Sequence, residues 1–198
     1  MTKYILNSGG TSSYPKKASE FFNEIIRDLG DKPKILFCFF AQKREDWEEK
    51  FEKYKNGFME KVKGVKPKFE LAFPDKFINQ VKNSNAIIIF GGDDILLQYW
   101  LRKFDLTKIF KNKVVATSSA GSNAIVDSSW TCDWRKCIDG LGVLSIKFIS
   151  HYKSTEYAKD DPRGPIDWDA AYKELQSYGN KSLPIHALEE GDFIILKN

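Results

Sequence analysis

The chain has 198 residues, 42% of them hydrophobic and 29% charged, enough for one well-filled core and short for two. Its net charge of +4 is the small excess of 31 basic over 27 acidic residues that lie interleaved along the chain, which excludes the clustered basic face of a nucleic-acid binder. No apolar run approaches the roughly 20 residues that span a bilayer, so no membrane partner is expected either.

Met1-Thr2-Lys3-Tyr4-Ile5-Leu6 runs directly into a strand-like segment without a long apolar stretch, so no signal peptide is expected and the location is expected to be cytoplasmic. Strands are predicted over 3–7, 34–40, 68–73, 86–90 and 113–117, then over 145–150, 185–188 and 193–196. Residues 86–90, Ala-Ile-Ile-Ile-Phe, are apolar at every position, as in a strand covered on both faces. Amphipathic helices are predicted between them. Residues 18–29 place Phe21, Phe22, Ile25, Ile26 and Leu29 on one stripe that Gly30 ends, and further helices are expected over 45–62, 95–104 and 169–177. Alternation of this kind predicts an α/β fold: three layers, α/β/α, around a mostly parallel central sheet, with residues 1–198 forming a single domain. Of the three cysteines, Cys38 lies in an apolar run, and Cys132 and Cys137 have no second pair to complete a zinc site, so neither metal nor cofactor is expected.

The chemistry concentrates after the fifth predicted strand. Lys113-Val114-Val115-Ala116-Thr117-Ser118-Ser119-Ala120-Gly121-Ser122-Asn123 takes a β-branched strand into small residues and then a helical pattern. A nucleophile elbow needs this arrangement, because its sharp strand-to-helix turn tolerates only small neighbours. Ser119 is the candidate nucleophile; the plainer alternative is a serine that only caps the helix. Phe90-Gly91-Gly92-Asp93 follows the all-apolar strand, and paired glycines there allow close backbone approach and an oxyanion donor, or simply a tight turn capped by an aspartate. A histidine base must be His151 or His186. His151 ends a strand-like run at the position where parallel-sheet folds place their sites, whereas His186 lies inside a strand pattern, so His151 is preferred.

Phe90-Gly91-Gly92, Ser119-Ala120-Gly121 with Asn123, Asp139-Gly140 leading to His151, and Ala187-Leu188-Glu189-Glu190-Gly191 together resemble peptidase family S51, the group of dipeptidase E and the cyanophycinases. The resemblance spans essentially the whole chain. It implies the class I glutamine amidotransferase-like (flavodoxin-like) fold and a serine peptidase acting on short peptides. By the same resemblance, Ser119 attacks a peptide carbonyl, His151 accepts its proton, and the backbone N–H groups of Ala120 and of Gly91 or Gly92 hold the oxyanion. A triad aspartate is implied between serine and histidine; Asp133 best matches that position, with Asp127 and Asp139 as alternatives. Arg163, Asn123 and Asp93 are the candidate substrate-binding residues. A preference for N-terminal aspartate, as in dipeptidase E, would need a cation, and Arg163 after Pro162 is the candidate because a guanidinium grips a carboxylate bidentately. The chain departs from the family pattern at Thr117, where the family has glycine, and at Asp93, where dipeptidase E has asparagine. The expected partner is a small peptide, bound by a monomer or homodimer. Cyanophycinase-like or esterase activity with the same serine and histidine, and a non-catalytic amidotransferase-like binding module, are the competing readings.

Overall fold

The structure, a computed structural model, describes residues 1–157 and 159–198. In chain order its elements are β1 (Lys3–Asn7), α1 (Pro15–Ile26), β2 (Lys34–Cys38), α2 (Trp47–Lys61), β3 (Lys68–Leu71), α3 (Phe77–Asn83), β4 (Ala86–Ile89), α4 (Asp94–Leu101), α5 (Leu106–Ile109), β5 (Val114–Ser118) and α6 (Ala120–Ile125). They continue with β6 (Val126–Thr131), β7 (Lys136–Asp139), β8 (Leu144–Ile149), α7 (Trp168–Ser177), β9 (Ile185–Ala187) and β10 (Phe193–Lys197).

Six strands form one sheet in the order β10-β1-β5-β4-β2-β3. All neighbours in it are parallel except β10, which runs antiparallel along the edge of β1. Every residue of β4 is buried, as its unbroken apolar run requires of a strand with both faces covered. Proline at the start of α1 suits a position whose N–H has no helical partner, and the helix turns Ala18, Phe21, Phe22, Ile25 and Ile26 into the core. Phe37 of β2 sits at the centre of an aromatic cluster, its ring 5.0–5.8 Å from those of Phe51, Phe69 and Phe90 in edge-on geometry. Such pairs contribute about 0.5–1.5 kcal/mol each beyond the area they bury.

A second sheet of four strands, β7-β6-β8-β9, stands apart from the first, where the sequence predicts only one. The β6 and β7 strands form an antiparallel hairpin, while β8 runs parallel to both β6 and β9. Sequence patterning misses β6 because Val-Asp-Ser-Ser-Trp-Thr lacks apolar alternation; its polar residues Ser128, Ser129 and Thr131 are buried all the same. A small core of Trp130, Ile149, Ala171 and Leu175 joins this sheet to α7. Lys147 of β8 is fully buried there, and its ammonium donates to the carbonyls of Leu175, at 2.7 Å, and Tyr178. A cation at these last carbonyls satisfies acceptors that the helix end leaves open.

The ends of the parallel strands converge. The loops after β1, β4, β5 and β8, together with the β9–β10 turn, meet at the carboxyl edge of the large sheet, where α/β folds place their sites.

Candidate active site

Ser119 occupies the single residue between β5 and α6, with φ 51° and ψ −118°. A non-glycine residue there stores about 1–3 kcal/mol of backbone strain, so the surroundings must impose the conformation. They do so from both sides. The Ser119 N–H donates to the carbonyl of Asn7 at 3.0 Å, and the Ser119 carbonyl accepts from the N–H groups of Ser122 and Asn123. Gly121 is required for room, since a Cβ on it would come within 2.4 Å of the Ile89 carbonyl oxygen. Thr117, the departure from the family pattern, lies in β5 rather than in the turn. Its buried hydroxyl shares a 2.8 Å hydrogen bond with Ser122 Oγ, which donates in turn to the Asn7 carbonyl.

His151 follows β8 and also has a positive φ, 54°. Its N–H donates to Ser8 Oγ at 2.6 Å, fixing the residue against the loop after β1. The imidazole Nε2 lies 3.0 Å from Ser119 Oγ, and Nδ1 lies 3.0 Å from Glu190 Oε1. With Nδ1–H donating to that carboxylate, Nε2 is left as an acceptor facing the serine hydroxyl. Burial holds the His151 pKa below its ordinary value, even though Glu190 pulls it upward. Glu190 sits in the β9–β10 turn, takes a second bond at 3.0 Å from Ser154 Oγ, and precedes Gly191, whose N–H donates to the Gly9 carbonyl at 2.7 Å. Serine, imidazole and carboxylate therefore stand in line.

The loop after β1, unremarked in the sequence, closes one side of this line. Gly9 has φ 109°, and a Cβ there would come within 2.4 Å of His151 Cε1 and 3.2 Å of Ser119 Cβ. A Cβ on Gly10 would come within 2.9 Å of Glu190. On the other side, a Cβ on Gly91 would come within 2.8 Å of Ser119 Cβ and 3.4 Å of the Ala120 nitrogen. Gly91 is thus the glycine that packs on the elbow. Gly92, with φ 143°, packs instead on the Ala41 carbonyl, and Gln42 Nε2 donates to the Gly91 carbonyl. Ala120 opens α6, so its N–H has no intrahelical partner.

The model of peptidase family S51 matches residues 4–198. The chain belongs to peptidase family S51. Among the curated proteins none matches it. Among solved structures it is similar to a peptidase from an acI-B1 Actinobacterium, with a TM-score of 0.67 at 22% identity over 100% of this chain and 84% of that one. It is also similar to a structure described as a peptidase E protein from Listeria monocytogenes EGD-e, with a TM-score of 0.66 at 14% identity over 100% of this chain and 99% of that one. These likenesses carry the fold: mixed α/β with mostly parallel sheets.

The other expected site residues of this S51 chain lie apart from the line. Asp133 does not bond to His151. It stands in the β6–β7 hairpin turn, and its carboxylate accepts from the Tyr157 hydroxyl; Glu190 holds the imidazole nitrogen that Asp133 was expected to hold. Of the alternatives, the Asp127 carboxylate accepts from its neighbour Ser128 Oγ, and Asp139 offers its backbone carbonyl to Gln98. Asn123 is buried, with its amide donating to Asp94 Oδ1 at 3.0 Å, and Asp94 also accepts from Thr131 Oγ1. Asp93 caps α4, accepting from the Leu96 N–H at 2.8 Å. Arg163 pairs with Asp161 through Nε and Nη2, which holds the Asp161 carboxyl far below the usual range, and Nη2 also donates to the Asp133 carbonyl. Ala158, inside the polar stretch after His151, lies outside the described residues. All three cysteines are unpaired and buried, and burial pushes the thiols of Cys38 and Cys137 up to about 12, so neither supplies a thiolate nucleophile near neutrality.

Proposed function

We propose that this S51 peptidase is a serine hydrolase of short peptides in which Ser119, His151 and Glu190 act as nucleophile, base and orienting acid. The observation that carries this reading is the unbroken pair of 3.0 Å contacts from Ser119 Oγ to Nε2 and from Nδ1 to Glu190 Oε1. Ser119 Oγ bonds to the substrate carbonyl carbon as its proton passes to Nε2. The carbonyl oxygen gains negative charge beside the Ala120 N–H and the Gly91–Gly92 backbone, a donor pair of the kind whose single members contribute about 10²–10³ in kcat. The C–N bond then breaks as the imidazolium returns the proton to the leaving amine, and water repeats the sequence on the acyl-serine. Glu190 stays ionised throughout, holding the tautomer and stabilising the imidazolium.

The short-peptide class rests on family resemblance, as does a preference for N-terminal aspartate. That preference requires Arg163, whose side chain is about half exposed, to exchange its Asp161 partner for a substrate carboxylate. Cytoplasmic location is proposed with it, supported by three unpaired cysteines. No helix among the described residues is long and apolar enough to cross a membrane. A dipeptide-library screen tests the substrate class. The expected result is cleavage of Asp-X faster than Ala-X, with Arg163→Ala raising KM for Asp-X alone. Equal rates would remove the acidic preference, and ester or polymer hydrolysis without dipeptide cleavage would replace the substrate class while retaining the serine.

A further inference from the structure

The tripartite line leaves one face of the imidazole unexplained. The ring of Tyr157 lies over that face, with centroids 4.2 Å apart and planes 27° from parallel. Four bonds hold it there. The Tyr157 hydroxyl donates to the Asp133 carboxylate, the Tyr157 N–H donates to Ser154 Oγ at 2.9 Å, Ser154 Oγ donates to Glu190 Oε1, and the Ser154 N–H donates to the His151 carbonyl at 2.9 Å. Gly9 covers the edge of the same imidazole, and His151 is only 7% exposed as a result.

We infer that Tyr157 is a positioning residue for His151, a stacked cover that Asp133 tethers and that keeps the base dry and aligned on Ser119. This deepens the proposed function and rests on it for the role of the imidazole. The physical consequence has a definite sign. Losing water under the stacked ring costs the charged imidazolium more than the neutral ring, so the cover favours the unprotonated base that accepts the serine proton. The charged groups acting on His151 are Glu190 and Asp133, and both favour the protonated ring; burial opposes them and prevails. The arrangement gives Asp133 a place in the site, two steps removed from the nitrogen it was expected to touch. Tyr157 also keeps its proton, since burial first and then Asp133 push its ionisation far above neutral pH.

Only two histidines are present, so imidazole proton resonances followed by NMR against pH report His151 directly, with His186→Gln assigning the pair. In Tyr157→Ala the His151 midpoint is expected to rise by about half a pH unit or more as the ring rehydrates. Tyr157→Phe, which retains the ring, is expected to return most of that shift, and an unmoved His186 midpoint shows that the fold is intact. Kinetics on the same variants should show kcat falling in Tyr157→Ala with KM little changed, and recovering in Tyr157→Phe. A His151 midpoint unmoved in Tyr157→Ala overturns the inference, as does a shift in Tyr157→Phe equal to that of alanine. The titration needs no turnover, so it stands whether or not wild-type protein hydrolyses peptides. Failure of the serine hydrolase reading would show separately, as wild-type protein that no serine-directed probe labels.

Discussion

Glu190 and Asp133 make the sharpest contrast at the level of single residues. Both are carboxylates near His151, yet only Glu190 bonds to Nδ1, while Asp133 bonds to the Tyr157 hydroxyl and acts directly on the imidazole by charge alone. Glu190→Gln replaces an acceptor-only group by an amide that can present its NH₂ to the ring and reverse the tautomer. Its kcat is expected to fall by about 10⁴, the loss seen when a serine protease triad acid becomes an amide. Asp133→Asn keeps an acceptor for the Tyr157 hydroxyl, and a far smaller loss is expected; steady-state kinetics on the two variants rank them, and a larger loss in Asp133→Asn would reverse the assignment. The pH dependence follows from the same ring. His151 must be neutral to act as base, so activity is present above its folded-state pKa and disappears as pH falls through it. Since burial lowers that pKa, the acid limb of kcat/KM is expected below the ordinary histidine value of about 6.5. A limb above that value would mean that the carboxylates outweigh burial.

Elements bring these residues together through strand ends, and glycine decides how closely the ends approach. Gly9→Ala would drive a methyl into His151 and add strain at φ 109°. Gly30→Ala is the control, with φ 75° and nothing within 4 Å. Both substitutions are expected to cost about 1–3 kcal/mol in strain, or several degrees of Tm in a chain of this size. Only Gly9→Ala is expected to abolish turnover, and equal activities would show that the loop after β1 does not shape the site. The same elements show what the sequence made legible. Apolar runs marked eight of the strands, and the small residues after β5 marked the elbow, because burial and sterics there depend on residue type. The β6–β7 hairpin was hidden because half of its buried strand is serine and threonine, whose hydroxyls suit loops equally well. Glu190 was visible in the Glu189-Glu190-Gly191 segment but unassigned. It lies 39 residues beyond His151, and the pairing of β9 with β8 and of β10 with β1 carries its turn to the imidazole. The Arg163 pairing was legible for the opposite reason, since Asp161 lies two residues away in sequence and stays adjacent in space.

At the scale of the whole molecule, the large sheet delivers the loops after β1, β4 and β5 to one edge, and the small sheet delivers His151 from β8. Glu190 arrives on the connection that runs from the small sheet back to the large one. A site assembled from so many strand ends is complete only in the folded chain, so the reactivity of Ser119 reports the assembly as a whole. Serine-directed fluorophosphonate labelling followed by peptide mass spectrometry measures that reactivity directly. Wild-type protein is expected to carry one adduct, on Ser119, that Ser119→Ala abolishes and His151→Ala suppresses, with unchanged circular dichroism in both variants. Folded wild-type protein that takes up no probe near neutral pH, or an adduct on Ser118 in place of Ser119, would contradict the assignment of Ser119 as an activated nucleophile.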